Sequence, residues 1–597
     1  MKDRVISGEK RVDAAQKKLI KESLFHIAVS NMFILVATCA CGVIDNLFIS
    51  RILGPEALAA VGFFSPVTVA VGFSYIMILG TQVLAGNFIG AGRNDKVNRL
   101  FISSFLTITV FFIVFTILCM CFASRLGELL GVKGAVNDAM CEYIMGYCPG
   151  IVPQTLVALL MALCSLNNEL KRSYVSIGVM IVGNVVLDWL LVKDFGLFGI
   201  GIASTVGSFV SLAVLLPGFF GADRLFHFQL KDKFSMKLVL SAAKRGLPSL
   251  MFSVGVIIKN YCFNYSLSQY TGEIGVAAAG ILSSVCAFAG AIPAGFANAF
   301  STLASIYYGE QDRGSYIYLS RITLRMGLIC CTAAVGAFMI TSPILALIFA
   351  PGDEQLRSVS QRMFLLGFTF LIPNLVYNVL LNSYRAQNRM LLINIMSFAE
   401  TAAIGLFVLL TVGSFGADAA WLANTIVDIL CILVIIASVF YYRKKPDLSL
   451  SALLKLPDSF GVSEKDCFVY AIEDAEQVVE ASSAAIKFCM DHGYKRRLST
   501  HVGLCIEEMA YNVLKHGFGN RSGRYADIRV AASEDGLTVR IRDNCREFDP
   551  RKRMEIHSSK DKASNFGIRI VAGQADTIEY YNNAGINTLI MRFLKET

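Results

Sequence analysis

Three polar residues, Asp45, Asn184 and Asp188, lie inside long apolar segments of the sequence. A charged side chain in hydrocarbon is costly, so an ionisable residue there indicates a functional site. Asn184 precedes Asp188 by one helical turn, so both side chains are expected on one helix face. Carboxylate and carboxamide oxygens suit Na⁺, whereas two neighbouring carboxylates can equally share a proton. The sequence therefore predicts a site for Na⁺ or H⁺. In the alternative, Asp45 only caps a helix near the membrane surface.

A second ionisable pair is predicted in the other half of the apolar region. Lys259 lies fourteen residues after Arg245, and Glu400 lies eleven residues after Arg389. Because a helix rises about 1.5 Å per residue, the two side chains are expected at similar depths. We predict that Lys259 and Glu400 form a buried pair that lines a substrate cavity. In the alternative, Lys259 extends its amino group to water. The pattern assigns no role to Asp428.

The composition separates an apolar region from a polar one. The chain has 597 residues, of which 55% are hydrophobic and 17% are charged, and its mean hydropathy is +0.57. Long apolar segments continue to Arg443, whereas charges are dense after Pro446. This pattern predicts a helical membrane region followed by a soluble domain. Many of the residues behind the net charge of +9 lie in short loops between apolar segments, so nucleic acid is not an expected partner. The sixteen cysteines show no CxxC pair, which predicts neither a disulfide framework nor a zinc site.

Twelve apolar segments have the length that a membrane-spanning helix needs. Basic residues are concentrated in alternate loops, for example at Arg93, Lys171 and Arg389. Because basic loops stay in the cytoplasm, both termini are expected there, in a multi-pass protein of the cell membrane surrounded by lipid. The polar, basic stretch before the first segment does not fit a cleavable signal peptide. The predicted spans are 22–49, 56–83, 100–125, 138–164, 172–193, 196–221, 243–269, 274–302, 317–349, 359–385, 390–412 and 416–442.

The membrane region repeats itself with an offset of 218 residues. The offset aligns the segment 54–62 with 272–280, and it aligns 91–95 with 309–313. It also pairs Ser165 with Ser383 and Lys171 with Arg389. Six predicted helices precede the repeat point, so the two halves are parallel repeats with substrate expected between them. The residues at 45 + 218 and 188 + 218 are Phe263 and Leu406, so cation coupling is expected in the first half alone.

The order and spacing of several residues resemble the multidrug and toxic compound extrusion (MATE) family over roughly residues 20–445. The resemblance implies two six-helix lobes in a V shape and an antiporter of drugs or organic cations, driven by H⁺ or Na⁺. It also implies that Asp45, Asn184 and Asp188 form the cation site of the first lobe, with Thr205 as a candidate fourth ligand. The residues that carry the resemblance are Asp45 before Asn46, the segment 54–62, Gly80-Thr81-Gln82, Asn87, Gly90-Ala91-Gly92, Asn184 with Asp188, and the segment 199–205.

The soluble part alternates predicted helices and strands. We predict strands at 467–472, 526–532, 537–543, 576–581 and 588–593, and helices at 475–491, 498–516 and near 567–574. The arrangement is an α/β sandwich, which resembles the ATP-binding domain shared by histidine kinases, gyrase and anti-sigma-factor serine kinases, and the last of these most closely.

Three motifs carry this second resemblance: 507–516, 543–550 and 565–568. The resemblance implies that Asn512 holds Mg²⁺ and that Glu508, one helical turn earlier, acts as a general base. It further implies that Asp543 accepts a hydrogen bond from the adenine amino group, with Phe548 in the same motif and Gly567 in the phosphate-lid motif also binding ATP. Cys545 stands where the family has glycine, and the lid motif retains only Gly567. ATP binding is expected, whereas phosphotransfer is left open. The alternative is a degenerate domain that binds a cytoplasmic protein partner.

Taken together, the residues predict a secondary antiporter that exports small organic molecules, cations among them, and carries a nucleotide-binding regulatory domain. The alternative is a membrane sensor whose C-terminal domain is a serine/threonine kinase or an anti-sigma-like binding module. No GxxxxGK[ST] loop is present, which argues against an ATP-driven pump. The predicted parts are a cytoplasmic segment 1–21, a first lobe 22–221, a linker 222–242, a second lobe 243–445, a linker 446–463 and an ATPase-like domain 464–597.

Overall fold

The structure is a computed structural model of the 597-residue chain. It describes residues 2–91, 93–129, 134–167, 169–221, 225–228, 234–349, 354–443, 449–457, 460–462, 464–518, 524–533, 536–545, 549, 566–583 and 586–594.

Within the described residues, the membrane region is entirely helical. Apolar residues dominate these segments, and a helix satisfies its own backbone hydrogen bonds, which hydrocarbon cannot do. The helices are α1 Lys2–Phe48, α2 Pro55–Phe63, α3 Ser65–Gly72, α4 Ser74–Gly90, α5 Asn94–Cys121, α6 Ala123–Leu129, α7 Ala135–Tyr147, α8 Ile151–Cys164, α9 Leu170–Leu215, α10 Met236–Ala289, α11 Ala291–Gly309, α12 Arg313–Phe349, α13 Glu354–Gly367, α14 Leu371–Ala386, α15 Met390–Phe415 and α16 Ala417–Arg443.

The number of membrane spans differs from the prediction. Of the helices in the described ranges, ten are long and apolar enough to cross a membrane, or eleven if the bent pair 278–289 and 291–309 forms one span. Twelve spans are therefore not confirmed by length and composition. The difference arises because α9 belongs to one continuous apolar helix, Lys171–Phe219, where two spans were predicted, and because the predicted span 274–302 corresponds to the bent pair.

Glycine kinks explain how one continuous helix can replace two. Non-helical backbone interrupts α9 at Gly196 (φ 56°) and α10 at Gly272 (φ 66°). A positive φ of this kind is readily adopted by glycine, which has no Cβ atom. Gly54, at φ 89°, is the residue that the repeat offset aligns with Gly272. The two halves thus turn at matching positions, as a repeated fold requires.

The two lobes meet along α4, which packs against α10 and α11. A Cβ atom at Gly80 would lie 2.0 Å from the carbonyl oxygen of Ala242, and one at Gly90 would lie 2.0 Å from that of Ile306. Any side chain at either position would force the helices apart. The lobes are therefore closed against each other at the end where α4 and α11 finish. We call this the tail-facing end, because the C-terminal soluble domain, described below as the tail, packs there.

The first helix crosses between the two lobes. Ile20, Leu24 and Ile27 belong to the hydrophobic core of the second lobe, although the sequence predicts Ile20 in the cytoplasmic segment 1–21 and the other two residues in the first lobe. Further along the same helix, α1 contacts α9 of the first lobe. Within the same helix, Leu19, next to Ile20, packs with Tyr525 and Ile586 of the soluble domain.

The soluble domain, which we call the tail, is a two-layer α/β structure that follows a short helix α17 Leu450–Leu453. Its five strands form one antiparallel sheet in the order β1-β2-β3-β5-β4. The helices cover one face, where Ile528, Val539 and Met591 form the core. The elements are β1 Cys467–Ile472, α18 Ala475–Asp491, α19 Arg496–Asn512, β2 Ala526–Ser533, β3 Gly536–Asp543, α20 Phe566–Gln574, β4 Thr577–Asn583 and β5 Ile586–Leu594.

Candidate functional site

The structure brings Asp45, Asn184 and Asp188 together in the first lobe. Asp45 comes from α1, and the other two residues come from α9 before its kink. The carboxyl groups of Asp45 and Asp188 lie within hydrogen-bonding reach of each other, and Asn184 also reaches Asp45. Ser204 links the group, since its hydroxyl accepts from Asn184 Nδ2 at 3.2 Å and lies 3.4 Å from Asp45 Oδ2.

Several oxygen atoms of this cluster have no hydrogen-bond partner among the described residues. Asp188 is completely buried, and neither of its carboxylate oxygens accepts a hydrogen bond. Asn184 Oδ1 and Asp45 Oδ1 are also buried and have no hydrogen-bond partner among the described residues. Buried oxygens without donors are costly, and a proton or a cation among them would remove that cost. The residues therefore fit a small cation, although the described part of the chain has no group of three or more His, Cys, Asp or Glu residues that could hold a metal ion.

The hydroxyl closest to the carboxylates differs from the one that the resemblance implied. Thr205 donates its hydroxyl to the carbonyl oxygens of Gly146 at 2.7 Å and Tyr147 at 3.3 Å, which ties α9 to α7. Its neighbour Ser204 makes the contact to Asp45 instead. Sequence reasoning missed Ser204, and the available signal was weak, because consecutive helical residues differ by only about 100° in direction.

Aromatic rings lie beside the first-lobe cluster. Tyr143 of α7 is close enough to interact electrostatically with both Asp45 and Asp188. It stacks on Tyr147 with ring centroids 5.4 Å apart, and Phe64 packs edge-on against both rings. The cluster is therefore bounded on one side by packed aromatic rings.

The second lobe has its own carboxylate pair. Glu400 and Asp428 are both buried, and their carboxyl groups lie within hydrogen-bonding reach of each other. Asn374 Nδ2 donates to Asp428 Oδ2 at 3.1 Å. Lys259 interacts electrostatically with both acids, but no ion pair joins it to Glu400 among the described side chains. Asp428, which the sequence could not assign, is the direct neighbour of Glu400.

In the tail, Glu508 and Asn512 lie one turn apart near the end of α19. Neither side chain makes a hydrogen bond or an ion pair with another described residue. Asp543 ends β3, where its Oδ1 accepts from Asn587 Nδ2 at 2.6 Å and from the backbone N–H of Cys545 at 2.9 Å. Burial raises the pKa of Asp543, and the hydrogen bond from Asn587 partly offsets this rise.

Asn587 on β5 is a residue of this site that sequence reasoning missed. Its own Oδ1 accepts from Tyr580 Oη at 2.7 Å and from Asn582 Nδ2 at 2.6 Å. These two donors fix the orientation of the amide, so its NH₂ group must face Asp543. No local sequence motif indicates this role, because Asn587 and Asp543 become neighbours only through the pairing of β3 with β5.

The described residues fit a nucleotide with its metal. Both donors to Asp543 use Oδ1, which leaves Oδ2 for an adenine amino group or the Cys545 thiol, and Asn512 has a carboxamide oxygen, which is a type of ligand that would suit Mg²⁺. Phe548 lies outside the described residues. Gly567 is in α20, but its surroundings also lie outside the described part.

Comparison with known proteins agrees with this division of the chain. The MatE family model matches residues 30–190 and 239–411, which is more than half of the chain. A model of the histidine kinase-like ATPase domain matches residues 472–593. No curated protein matches the chain.

Several solved transporter structures have a fold similar to the membrane region of this chain. A MATE protein in complex with MaL6 is 19% identical, with a TM-score of 0.66 over 73% of this chain and 98% of that one. A MOP superfamily transporter from Pyrococcus furiosus is 18% identical, with a TM-score of 0.66 over 73% and 97% of the two chains. An outward-facing multidrug resistance MATE transporter is 18% identical, with a TM-score of 0.65 over 71% and 96%. The chain therefore belongs to the MATE family of multi-pass membrane transporters and carries a histidine kinase-like ATPase domain after its membrane region.

Proposed function

We propose that this transporter is an antiporter that exports organic compounds in exchange for H⁺ or Na⁺ bound at Asp45 and Asp188. The observation that supports this most directly is the completely buried Asp188, whose two oxygens lack donors while Asp45 lies beside it. Two adjacent buried carboxylates cannot both stay ionised without a partner. Binding one cation neutralises the pair, and releasing it restores the repulsion.

The cation site joins two separate structural elements, which suits an ion-driven conformational change. Asp45 lies in the last turn of α1, which continues into a π-helical turn at Ile49–Leu53, and such turns often accompany functional sites. Asp188 and Ser204 lie on the two arms of the kinked helix α9. A change in the charge of the cluster therefore alters the forces between α1 and both arms of α9.

In the second lobe, we propose that Lys259, Glu400 and Asp428 bind the polar group of the substrate. Asn374 holds Asp428 in place, and Lys259 supplies one positive charge close to two carboxyl groups. A small organic molecule with a charged or hydrogen-bonding group could exchange with these internal contacts. Lys259→Gln and Glu400→Gln should each impair transport, and the double variant should recover part of the loss if the two charges compensate each other. If the defect of the double variant equals the sum of the two single defects, the two charges do not compensate each other and the pairing is contradicted.

Transport in proteoliposomes tests the main proposal. Purified protein should accumulate substrate when an H⁺ or Na⁺ gradient is imposed, without a requirement for ATP. Separate gradients distinguish the two ions. The matched control is Ser204→Ala, which keeps both carboxylates and should weaken coupling less than a change at Asp188. Transport that needs ATP and ignores both gradients would contradict the antiport mechanism.

A second candidate function is signalling through the tail. It is favoured by Glu508 and Asn512, which face the same side of α19 and have no described partner. On this view the membrane region senses a ligand, and the tail phosphorylates or binds a cytoplasmic protein. Incorporation of ³²P from ATP into a co-purified cytoplasmic protein, lost in Glu508→Gln, would support this function.

A further inference from the structure

The tail sheet has a second face that carries charge instead of an apolar core. Along each strand, alternate residues point away from the helices, and these include Arg529 on β2, Arg540 and Arg542 on β3, and Tyr581 on β4. All four are nevertheless largely buried: Arg540 and Arg542 are each 4% exposed. Charged residues are almost never buried unless they are paired, so this face must have a partner.

The partner is the end of the second lobe, where α11 meets α12. Arg540 donates to Glu310 at 3.0 Å and to Asp312 at 2.9 Å, and Arg542 also pairs with Glu310. The Tyr581 hydroxyl donates to the other oxygen of Glu310 at 2.8 Å. Asp312 also accepts from the backbone N–H of Ser315 at the start of α12. The sheet is thus attached to the positions where two membrane helices end and begin.

The same face also contacts the first lobe. Arg592 on β5 donates to the carbonyl oxygen of Ala91, which directly follows α4. Tyr581 and Ile590 are buried within the hydrophobic core of the first lobe, alongside Ile306 of α11. The sheet therefore spans the tail-facing end and touches both lobes where α4 and α11 are in contact.

The charges across this contact are balanced. Arg529, Arg540, Arg542 and Arg592 contribute four positive charges to this face, and Asp527 and Glu579 contribute two negative charges. The net charge of two is matched by Glu310 and Asp312. These acids belong to the second lobe alone, because the offset of 218 aligns them with Gly92 and Asn94 in the first. The match between a basic sheet face and this acidic turn is specific to one end of one lobe.

We propose that the charged face of the tail sheet is a docking surface that holds the two lobes together at the tail-facing end, so that this end opens only when the tail undocks. This inference rests on the proposed antiport, in which both ends of the lobes must open alternately. A buried ion pair is near break-even against its hydrated state, so a docked contact of this kind can be reversible. The docked tail is then a brake on transport. Nucleotide is well placed to regulate it, because Asp543 follows Arg542 directly on β3 and faces the opposite side of the sheet.

Two cysteine reporters separate undocking from opening. Ile590→Cys places a thiol in the docked face, and Ser305→Cys places one between the lobes, against Gly86. Each reporter is labelled with a maleimide-polyethylene glycol reagent in the full-length protein, with the same chain lacking the reporter as background. The test variant is Arg540→Gln with Arg542→Gln. The control is Arg496→Gln with Arg497→Gln, which makes the same charge change at exposed positions on the helical side of the tail.

In the test variant we expect both reporters to be labelled at least about tenfold faster, and transport to rise several-fold; the control variant should match the wild type. Glu310→Gln combined with Arg542→Gln should undock less than Arg542→Gln alone, since the charges stay balanced. Unchanged labelling of Ile590→Cys would overturn the docking surface. Labelling of Ile590→Cys without labelling of Ser305→Cys would overturn the brake. If no variant transports any compound while both reporters still respond, the antiport proposal fails and the docking surface stands.

Discussion

Asn587 offers a sharp test of the proposed nucleotide site, because its amide NH₂ group donates to the carboxylate of Asp543 as well as to the carbonyl oxygen of Cys545. Asn587→Ala removes the 2.6 Å bond to the Asp543 carboxylate, whereas the backbone bond from Cys545 at 2.9 Å persists. A hydrogen bond to a charged group contributes about 1.5–3 kcal/mol. Asp543 then binds adenine less well, and the Kd for Mg·ATP should rise by about 10- to 150-fold.

The neighbours of Asn587 provide a graded series for the same assay. Tyr580→Phe removes one of the two donors that orient the Asn587 amide, while Asn582 still holds it. The loss should be about 1 kcal/mol or less, within about fivefold in Kd. Asn587→Asp places a second carboxylate against Asp543 and should abolish binding. Titration calorimetry on the full-length protein in detergent measures all three. Equal affinities for wild type and Asn587→Ala would refute the assignment, and absence of ATP binding by the wild type would favour a partner-binding domain.

Three further predictions concern the other sites. Asp188→Asn should abolish gradient-driven uptake in proteoliposomes with little effect on thermal stability, because it removes a buried charge but almost no volume; uptake that still follows the gradient would exclude Asp188 from coupling. Asn512→Ala should weaken Mg·ATP binding measured by calorimetry, whereas Glu508→Gln should bind ATP normally and lose any phosphotransfer. Burial alone would raise the pKa of Asp312, but Arg529, Arg540 and Arg542 hold it well below its usual range. A carboxyl group whose pKa is lowered by docking stabilises the docked contact at any pH above its undocked pKa of about 3.9. This stabilisation is lost only as the pH falls through the lower pKa of the docked state. Only the thiolate reacts with maleimide, so the labelling rate of Ile590→Cys is compared at each pH with that of the same reporter in the Arg540→Gln, Arg542→Gln background. This ratio should stay low from about pH 7.5 to about pH 5; a ratio that approaches one within that window would contradict the pairing.

Much of the fold follows from local patterns. The strand Cys467–Ile472 and the helix Ala475–Asp491 have the predicted bounds, because a strong apolar period and an Asp474 cap specify them locally. Prediction was weaker where one glycine decides the path. Hydropathy alone cannot tell whether Gly196 lies in a loop or at a kink within a continuous helix, so one long apolar helix, Lys171–Phe219, replaces two predicted spans.

The sites show the same division. Asp45, Asn184 and Asp188 could be named from sequence because charges stand out among apolar residues, and the fold brings them together. Partners drawn from distant segments could not be predicted. Ser204 resembles any helical serine, and the pairing of Glu400 with Asp428 depends on how α15 packs against α16.

The docked face was equally hidden. In the sequence, charged residues that alternate with apolar ones, such as Arg540 and Arg542, usually indicate the solvent-exposed face of an amphipathic strand. Only the position of the sheet against the acidic turn reveals that these side chains are buried.

The helix α1 has a mechanical consequence that extends beyond any one site. It runs without interruption from the tail contact at Leu19, past the second-lobe core at Ile27, to the proposed cation site at Asp45. At about 1.5 Å per residue, the two ends of this path are about 39 Å apart. A helix of that length behaves as a stiff rod, so a rotation imposed at one end arrives at the other. Deleting a single residue between Ile27 and Asp45 would turn the carboxylate by about 100° and draw it about 1.5 Å along the axis, leaving every local contact near the tail intact. The length and register of this rod, as much as the chemistry at its ends, therefore determine whether the tail and the ion site can act on each other.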